Sequence, residues 1–249
     1  MLLFCDGMPR SASTWAYNVV FALLKTGCPN ADIHRALEDG SRPPPELVES
    51  RLNWEIIKCH RLDEYAHNTF RSGNARAIYT HRDFYDAIAS YLVMFRVSFG
   101  LALQTMWDSL DVYDFHCETG NFLCIAYESI LERPGETIRR MAEHLELNLP
   151  DSAISQIEQT HSFRAIKELS ANLKQAEGVQ LVRNYISCYD QETQWHVRHV
   201  RNGGIGYGRK YLLPQQIQVI EKLIQSRKGP SRDLLPVVSD VPAAAGTAG

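Results

Sequence analysis

No surplus of positive charge runs through this chain: 26 lysines and arginines stand against 29 aspartates and glutamates, for a formal net charge of −3. A protein that grips long nucleic acid by its phosphates carries a basic surplus, so a nucleic-acid partner is not expected. A local basic pocket for a small polyanion remains compatible with the total. The six cysteines (Cys5, Cys28, Cys59, Cys117, Cys124 and Cys188) include no CxxC pair and no short metal-ligand spacing, which argues against a zinc module. Most sit in apolar segments and read as reduced thiols of a cytoplasmic protein. No apolar run reaches bilayer-spanning length. The start Met1-Leu2-Leu3-Phe4-Cys5 is too short, and lacks the basic flank, for a signal peptide. No internal repeat is visible. The expectation is a soluble cytoplasmic protein without membrane or nucleic-acid partners, with homo-oligomerisation left open.

The chain has 249 residues and is 45% hydrophobic, enough for one large α/β domain. Residues 2–6, 54–59, 75–80 and 122–127 read as buried strands. Residues 14–25 form a pattern apolar nearly all round, a buried helix stopped by Gly27. Asp83 is placed to cap a helix running through Phe95, with Asp86 in its first turn. Residues 101–117 read as helix ending near Gly120, and residues 40–45 as a loop. Pro134 opens an amphipathic helix with Ile138, Met141, Ala142 and Leu145 on one face. Ile217, Ile220 and Ile224 mark another. Residues 1–230 are expected to form the domain, and 231–249, turning to Pro, Ala and Gly, a disordered tail. Alternating strands and helices give a central, mainly parallel sheet flanked by helices, with ligands at the carboxyl ends of the strands.

Four segments near those ends carry candidate chemistry. In Pro9-Arg10-Ser11-Ala12-Ser13-Thr14-Trp15, helix N-terminal amides, hydroxyls and a guanidinium can hold phosphate. A structural turn with a capping serine explains the same pattern. It is not a kinase P-loop, for Ala12 stands at the second glycine and Ser13 at the lysine. Arg82 leaves the strand 75–80 and Ser90 lies about two helical turns on, so both can converge on one phosphate. The alternative is a surface pair of Arg82 with Asp83 or Asp86. In Lys58-Cys59-His60, alternation puts the cation and the imidazole on one side, an arrangement suited to proton removal. A strand-end histidine bonded to a loop is the plainer reading. Arg201-Asn202-Gly203-Gly204 pairs charge with amides that can approach a phosphate, or is a surface turn.

Together, in this order, these segments resemble the sulfotransferase family that uses 3′-phosphoadenosine-5′-phosphosulfate (PAPS). Residues 9–15 are similar to its phosphosulfate loop, Pro-Lys-Ser-Gly-Thr-Thr-Trp. Arg82 and Ser90 have the spacing of its 3′-phosphate motif, Lys58-Cys59-His60 resembles its Lys-Thr-His tripeptide, and Arg201-Asn202-Gly203 its late Arg-Lys-Gly clamp. Tyr127-Glu128 and Ser162-Phe163 resemble two segments that contact the adenine. The resemblance spans residues 2–213. It implies His60 as base, Lys58 and Arg10 stabilising the transferring group, and Trp15 and Phe163 on the two faces of the adenine. It further implies a donor site of Arg10, Ser11, Ala12, Ser13, Thr14, Trp15, Arg82, Ser90, Tyr127, Phe163, Arg201, Asn202 and Gly203. Trp15 could equally be core. The product would be 3′-phosphoadenosine-5′-phosphate (PAP), the acceptor a hydroxyl or amine of a small molecule such as a natural product, and no metal is expected.

The departures are Arg10 for lysine, Ala12 for glycine, His161 for a threonine and Asn202 for a lysine, the last compensated only if Arg209 or Lys210 reaches in. Residues 91–99 either line an acceptor pocket or belong to the core. A P-loop kinase or NTPase, and a non-catalytic nucleotide-binding relative, are the alternatives.

Overall fold

The computed structural model describes residues 1–37, 53–176, 178–183, 188–197, 200 and 204–236. The expected loop at 40–45, the clamp residues Arg201, Asn202 and Gly203, and the tail from 237 on lie outside the described residues.

Five strands, β1 (Leu2–Gly7), β2 (Asp32–Leu37), β3 (Asn53–Lys58), β4 (Ala75–His81) and β5 (Phe122–Ala126), pair in the order β2-β3-β1-β4-β5. Every pairing is parallel, with Cys5 opposite Lys58 and Gly7 opposite Thr80. That register brings Gly7, Lys58, His81 and Ala126 to one edge. From β1 the chain goes out to the edge strand β2, returns to β3 beside β1, and then crosses to β4 and β5 on the other side; ligands of such sheets bind beyond the carboxyl ends of the strands.

Helices cover both faces. Leu3 and Cys5 of β1 pack with Val19, Val20 and Leu23 of α1 (Ser13–Gly27) and with Ile138 and Met141 of α6 (Pro134–His144). Leu2 and Phe4, alternating to the other face, meet Phe70 of α2 (Glu64–Arg71) and Phe115 of α4 (Phe99–Thr119). Beside that cluster α3 (Phe84–Phe95), α4 and α10 (Pro214–Ser226) pack through Phe84, Ile88, Met106, Ile220 and Ile224. Each such side chain contributes about 1.5–3 kcal/mol by leaving water. His116 Nε2 of α4 donates to Asp6 Oδ2 of β1 at 2.6 Å, both fully buried, and ties α4 to the sheet one residue before Gly7.

Local signals act as expected. Asp83 Oδ1 accepts from the Asp86 amide at 2.9 Å, Pro134 opens α6 and Gly120, at φ 74°, ends α4. The differences have physical causes. α1 runs through Gly27, with Cys28 after it, because a glycine costs only about 1 kcal/mol inside a helix. Tyr127 begins a further helix, α5 (Tyr127–Glu132), rather than closing the strand before it. Nor does the fold stop at residue 230. Pro230–Leu234 forms a 3₁₀ turn in which fully buried Ser231 donates its amide to Asp114 Oδ1 at 2.6 Å, and Leu235 joins the core. Two leucines and a buried serine bonded to the Asp114 carboxylate outweigh the Pro and Ala around them. Of the cysteines, Cys5 and Cys59 are buried and the rest are half-buried. No helix among the described residues is long and apolar enough to cross a membrane.

Candidate active site

Gly7 takes φ 133°, and a Cβ there would overlap the Thr80 carbonyl, so β1 and β4 can approach only because this residue is glycine. The loop that follows is anchored on the same threonine. The Met8 amide donates to Thr80 O at 2.8 Å. Ser11 Oγ, fully buried, lies 2.5 Å from Met8 O and 2.6 Å from Thr80 Oγ1. Ser11 therefore holds the loop's shape and turns its hydroxyl away from the site. Arg10 at φ 69° and Ala12 at φ 73° are both left-handed and reverse the chain into α1. No side chain caps that helix. Its first amides, from Ser13 onward, lack intrahelical acceptors and face the loop with the positive end of the dipole.

One side of this loop opens on a cavity of about 560 Å³. Arg10, Thr14, Trp15, Arg82, Ser90, Tyr127 and Phe163 all line it. Arg82 is buried, 5% exposed, and donates through Nη2 to Gly204 O at 2.5 Å. Its guanidinium lies 4.1 Å from the Tyr127 ring centroid, a cation–π contact. Burial pushes the Tyr127 hydroxyl upward, against the pull of Arg82 and Arg10. Asp86, 3.6 Å from Arg82 Nη2, accepts from the amides of Gly206 at 2.7 Å and Gly208 at 2.6 Å. A Cβ on Gly208 would overlap the Tyr85 carbonyl, so this clamp too requires glycine. Among the described residues Arg82 Nε is buried without a hydrogen-bond partner. Arg10 Nε donates to Ser90 Oγ at 3.1 Å and so joins the two phosphate motifs.

Trp15 is both core and wall. It is 6% exposed, packs in the core, donates Nε1 to His161 O at 2.8 Å and lines the cavity. Phe163 opens α8 (Phe163–Ala171), capped by Ser162 Oγ on the Ala165 amide, and is 38% exposed.

The other side of the loop opens on a second cavity, about 430 Å³, lined among others by Arg10, Lys58, His60, Tyr91, Phe95 and His196. His60 Nδ1 lies 2.9 Å from Gly7 O. A carbonyl only accepts, so Nδ1 carries the proton and Nε2 the lone pair. Burial, then Lys58, pushes His60 down to about 3, which keeps the imidazole neutral. The sequence pattern placed Lys58 and His60 on one side, and both line this cavity. Of residues 91–99, Tyr91, Met94 and Phe95 line it too.

Sequence reasoning missed Trp195 and His196. They are consecutive, yet Trp195 lines the first cavity and His196 the second. Extended backbone turns neighbours to opposite sides, and the segment is fixed by Trp195 O accepting from Asp190 and by Val197 donating to Cys188 O. The bridge between Tyr189 and His196 joins it to a short hairpin, β6 (Leu181–Arg183) with β7 (Cys188–Asp190); the signal was too short to read. His196 is lowered to about 4, by burial first and then Lys58 and Arg10. Two expected stand-ins fall elsewhere. Arg209 turns to Glu221 at 3.0 Å and the Tyr85 hydroxyl at 2.9 Å, and Lys210 is exposed in α9 (Gly208–Tyr211). His161, which stands where the family has a threonine, lines the first cavity and not the second, apart from Lys58 and His60. Among the described residues no cluster of His, Cys, Asp or Glu is arranged to hold a metal.

Guanidinium groups, hydroxyls and helix N-terminal amides at the carboxyl edge of a parallel sheet, beside a cavity lined by Lys58 and His60, suit a group-transfer enzyme. The sulfotransferase domain model matches residues 3–232, and the chain belongs to the sulfotransferase family. It is similar in structure to mouse sulfotransferase SULT7A1 complexed with PAP, at 16% identity over 94% of this chain and 86% of that one, with a TM-score of 0.67. Retinol dehydratase in complex with androsterone and the inactive cofactor PAP is similar at 16% identity, over 90% of this chain and 80% of that one, with a TM-score of 0.61. No curated protein matches in sequence.

Proposed function

We propose that this enzyme transfers the sulfuryl group of PAPS to a hydroxyl or amine of a small molecule. The observation that carries the reading is the pair of cavities meeting at residues 10–14, phosphate-binding groups on one side and Lys58 with His60 on the other. PAP in the structural neighbours, and androsterone or retinol in retinol dehydratase, support a PAPS donor and a compact acceptor. The residues fit such a donor. Trp15, Tyr127 and Phe163 offer aromatic surface to the adenine. Arg82 and Ser90, which line the same cavity as Arg10, suit the 3′-phosphate. The amides of Ser13 and Thr14 and the charge of Arg10 suit the 5′-phosphosulfate, with Ser11 and Ala12 setting the loop. Arg201, Asn202 and Gly203 complete the 3′-phosphate clamp in this reading. A kinase would need lysine where Ser13 stands.

In the reaction His60 Nε2 takes the acceptor's proton as its oxygen or nitrogen bonds to sulfur, and the bond from sulfur to the phosphate oxygen breaks, releasing PAP. Lys58 and Arg10 stabilise the negative charge that grows on the transferring group and the bridging oxygen. These cations occupy the role of magnesium in kinases, and no metal is required. The test is release of PAP from PAPS with an acceptor panel in excess chelator. Turnover is expected to persist. Loss with chelator and rescue by magnesium, or turnover of ATP in place of PAPS, would refute the assignment.

A further inference from the structure

The second cavity is built with one sign of charge. Its walls come from the loop after β1, the end of β3, the second half of α3, the start of α4 and the segment around His196. Three cations reach it, Arg10, Lys58 and Arg61, and no carboxylate does among the described residues that line it. The chain as a whole is acidic, at −3, so this concentration is local. Two of the cations have work at the transferring group. Arg61 does not: it follows His60 and stands at the mouth, its side chain 70% exposed, 3.4 Å from Asp108 Oδ2 on α4. That contact is long and wet, and such pairs hold weakly. Asp108 Oδ1 already accepts from Gln104 Nε2 at 2.5 Å, so Arg61 can exchange partners without stranding Asp108. The remaining wall is apolar and aromatic. The rings of Tyr91 and Phe95 lie 4.5 Å apart, with Met94 and Leu101 beside them.

We propose that the acceptor is a hydroxyl-bearing aromatic molecule carrying its own anionic group, with the hydroxyl at His60 and the anion at Arg61. This rests on the sulfotransfer reading and narrows it. An ammonium acceptor would meet three like charges on the lining, and Asp108, the described carboxylate beside Arg61, lies outside it, which disfavours basic amines and points to O-sulfation. A neutral phenol would fill the aromatic wall but leave Arg61 unused. Charge complementarity of this kind separates competing ligands more than it raises total affinity.

The test is calorimetric titration of the PAP-saturated full chain with three probes of one shape: 6-hydroxy-2-naphthoate, 2-naphthol and 6-(aminomethyl)-2-naphthol. The naphthoate is expected to bind at least about tenfold more tightly than 2-naphthol, as one charge-assisted hydrogen bond allows, and the amine more weakly than either. Arg61→Gln should abolish the preference for the naphthoate and leave the affinities for PAP and 2-naphthol unchanged. Equal affinities, preference for the amine, or no binding of any probe to the PAP complex would overturn the proposal while leaving the donor reading intact. A wild-type chain that does not bind PAP would remove the sulfotransfer reading itself, and this one with it. Should Arg61→Gln keep the preference, the anion is recognised elsewhere and the assignment of Arg61 fails.

Discussion

The two cavities share one loop but are built differently. In the first, the groups that would meet phosphate are held by neighbouring groups: Arg82 by Gly204 O and the Tyr127 ring, Ser90 by Arg10, and the segment after Gly204 by buried Asp86. In the proposed reading its ligand is a fixed polyanion, so its geometry can be fixed as well. The second takes its apolar wall from Tyr91, Met94, Phe95 and Leu101 on the exposed parts of two helices, with Leu101 52% exposed. A wall of that kind can be rebuilt without disturbing the sheet. Donor specificity is therefore tied to stability, and acceptor specificity is separable from it.

That contrast can be broken at four points. The largest effect belongs to His60. We expect His60→Ala to lower kcat by about 10²–10⁴, the usual cost of losing a general base, with PAP affinity and melting temperature near wild type. A well-folded variant with unchanged kcat would remove His60 from the mechanism. His196, the other imidazole of that cavity, would then be tested in place of His161.

Arg82→Ala comes next, and should fail on both counts. Lost charged hydrogen bonds are worth roughly 1.5–3 kcal/mol each, so PAP should bind about tenfold or more weakly, while the analogue lacking the 3′-phosphate is much less affected. Chemical denaturation should show a loss of stability as well, because Asp86 keeps its amide partners but loses its cation. Undiminished stability would contradict the coupling of site to fold.

Acidification gives a smaller, graded effect. His60 is held at about 3 and His81 and His196 at about 4, all below the unfolded value of about 6.5. Below that value the unfolded chain binds protons that the native state refuses, so stability falls as pH drops from 6.5 toward 4. Each histidine contributes a slope of up to about 1.4 kcal/mol per pH unit. Urea midpoints at pH 7, 6 and 5 should decline, and His60→Asn should flatten the decline. Midpoints that stay level on acidification would show these imidazoles to be solvated.

The smallest effect is a gain. Ala12 sits at φ 73°, which costs an L-residue about 1–2 kcal/mol, while glycine loses more entropy on folding, by about 0.4–1 kcal/mol. Ala12→Gly should stabilise by about 0.5 kcal/mol, about 1–2 °C in a chain of this size. A lower melting temperature would mean that the methyl group packs well enough to offset the strain.

Much of this was legible in the sequence where one physical requirement dominates. The central strands are apolar on both faces, so Leu2–Gly7 and Ala75–His81 stood out. Asp83 and Pro134 marked helix starts through their capping chemistry. The segments proposed for the donor stood out because phosphate binding calls for hydroxyls, amides and guanidinium groups, and Arg10, Thr14, Arg82 and Ser90 line one cavity. β2 was not, because Asp-Ile-His-Arg-Ala-Leu is an edge strand with polar and apolar residues mixed. The short helix α2 and α7 (Asp151–Thr160) were hidden by the same mixing, their helical period too brief to stand out. The inward turn of Ser11 and the opposed faces of Trp195 and His196 depend on tertiary hydrogen bonds that no local pattern encodes.

The central claim is that the first cavity reads a phosphate on the 3′ position. PAP and ADP are isomers, with two phosphates on the same nucleoside, and differ in where the second one sits. Calorimetric titration of the full chain with each, in chelator, isolates that difference. The account predicts that PAP binds at least about tenfold more tightly than ADP, since Arg82 and Ser90 would meet the 3′-phosphate and nothing in ADP. Equal affinities, or tighter binding of ADP, would contradict it.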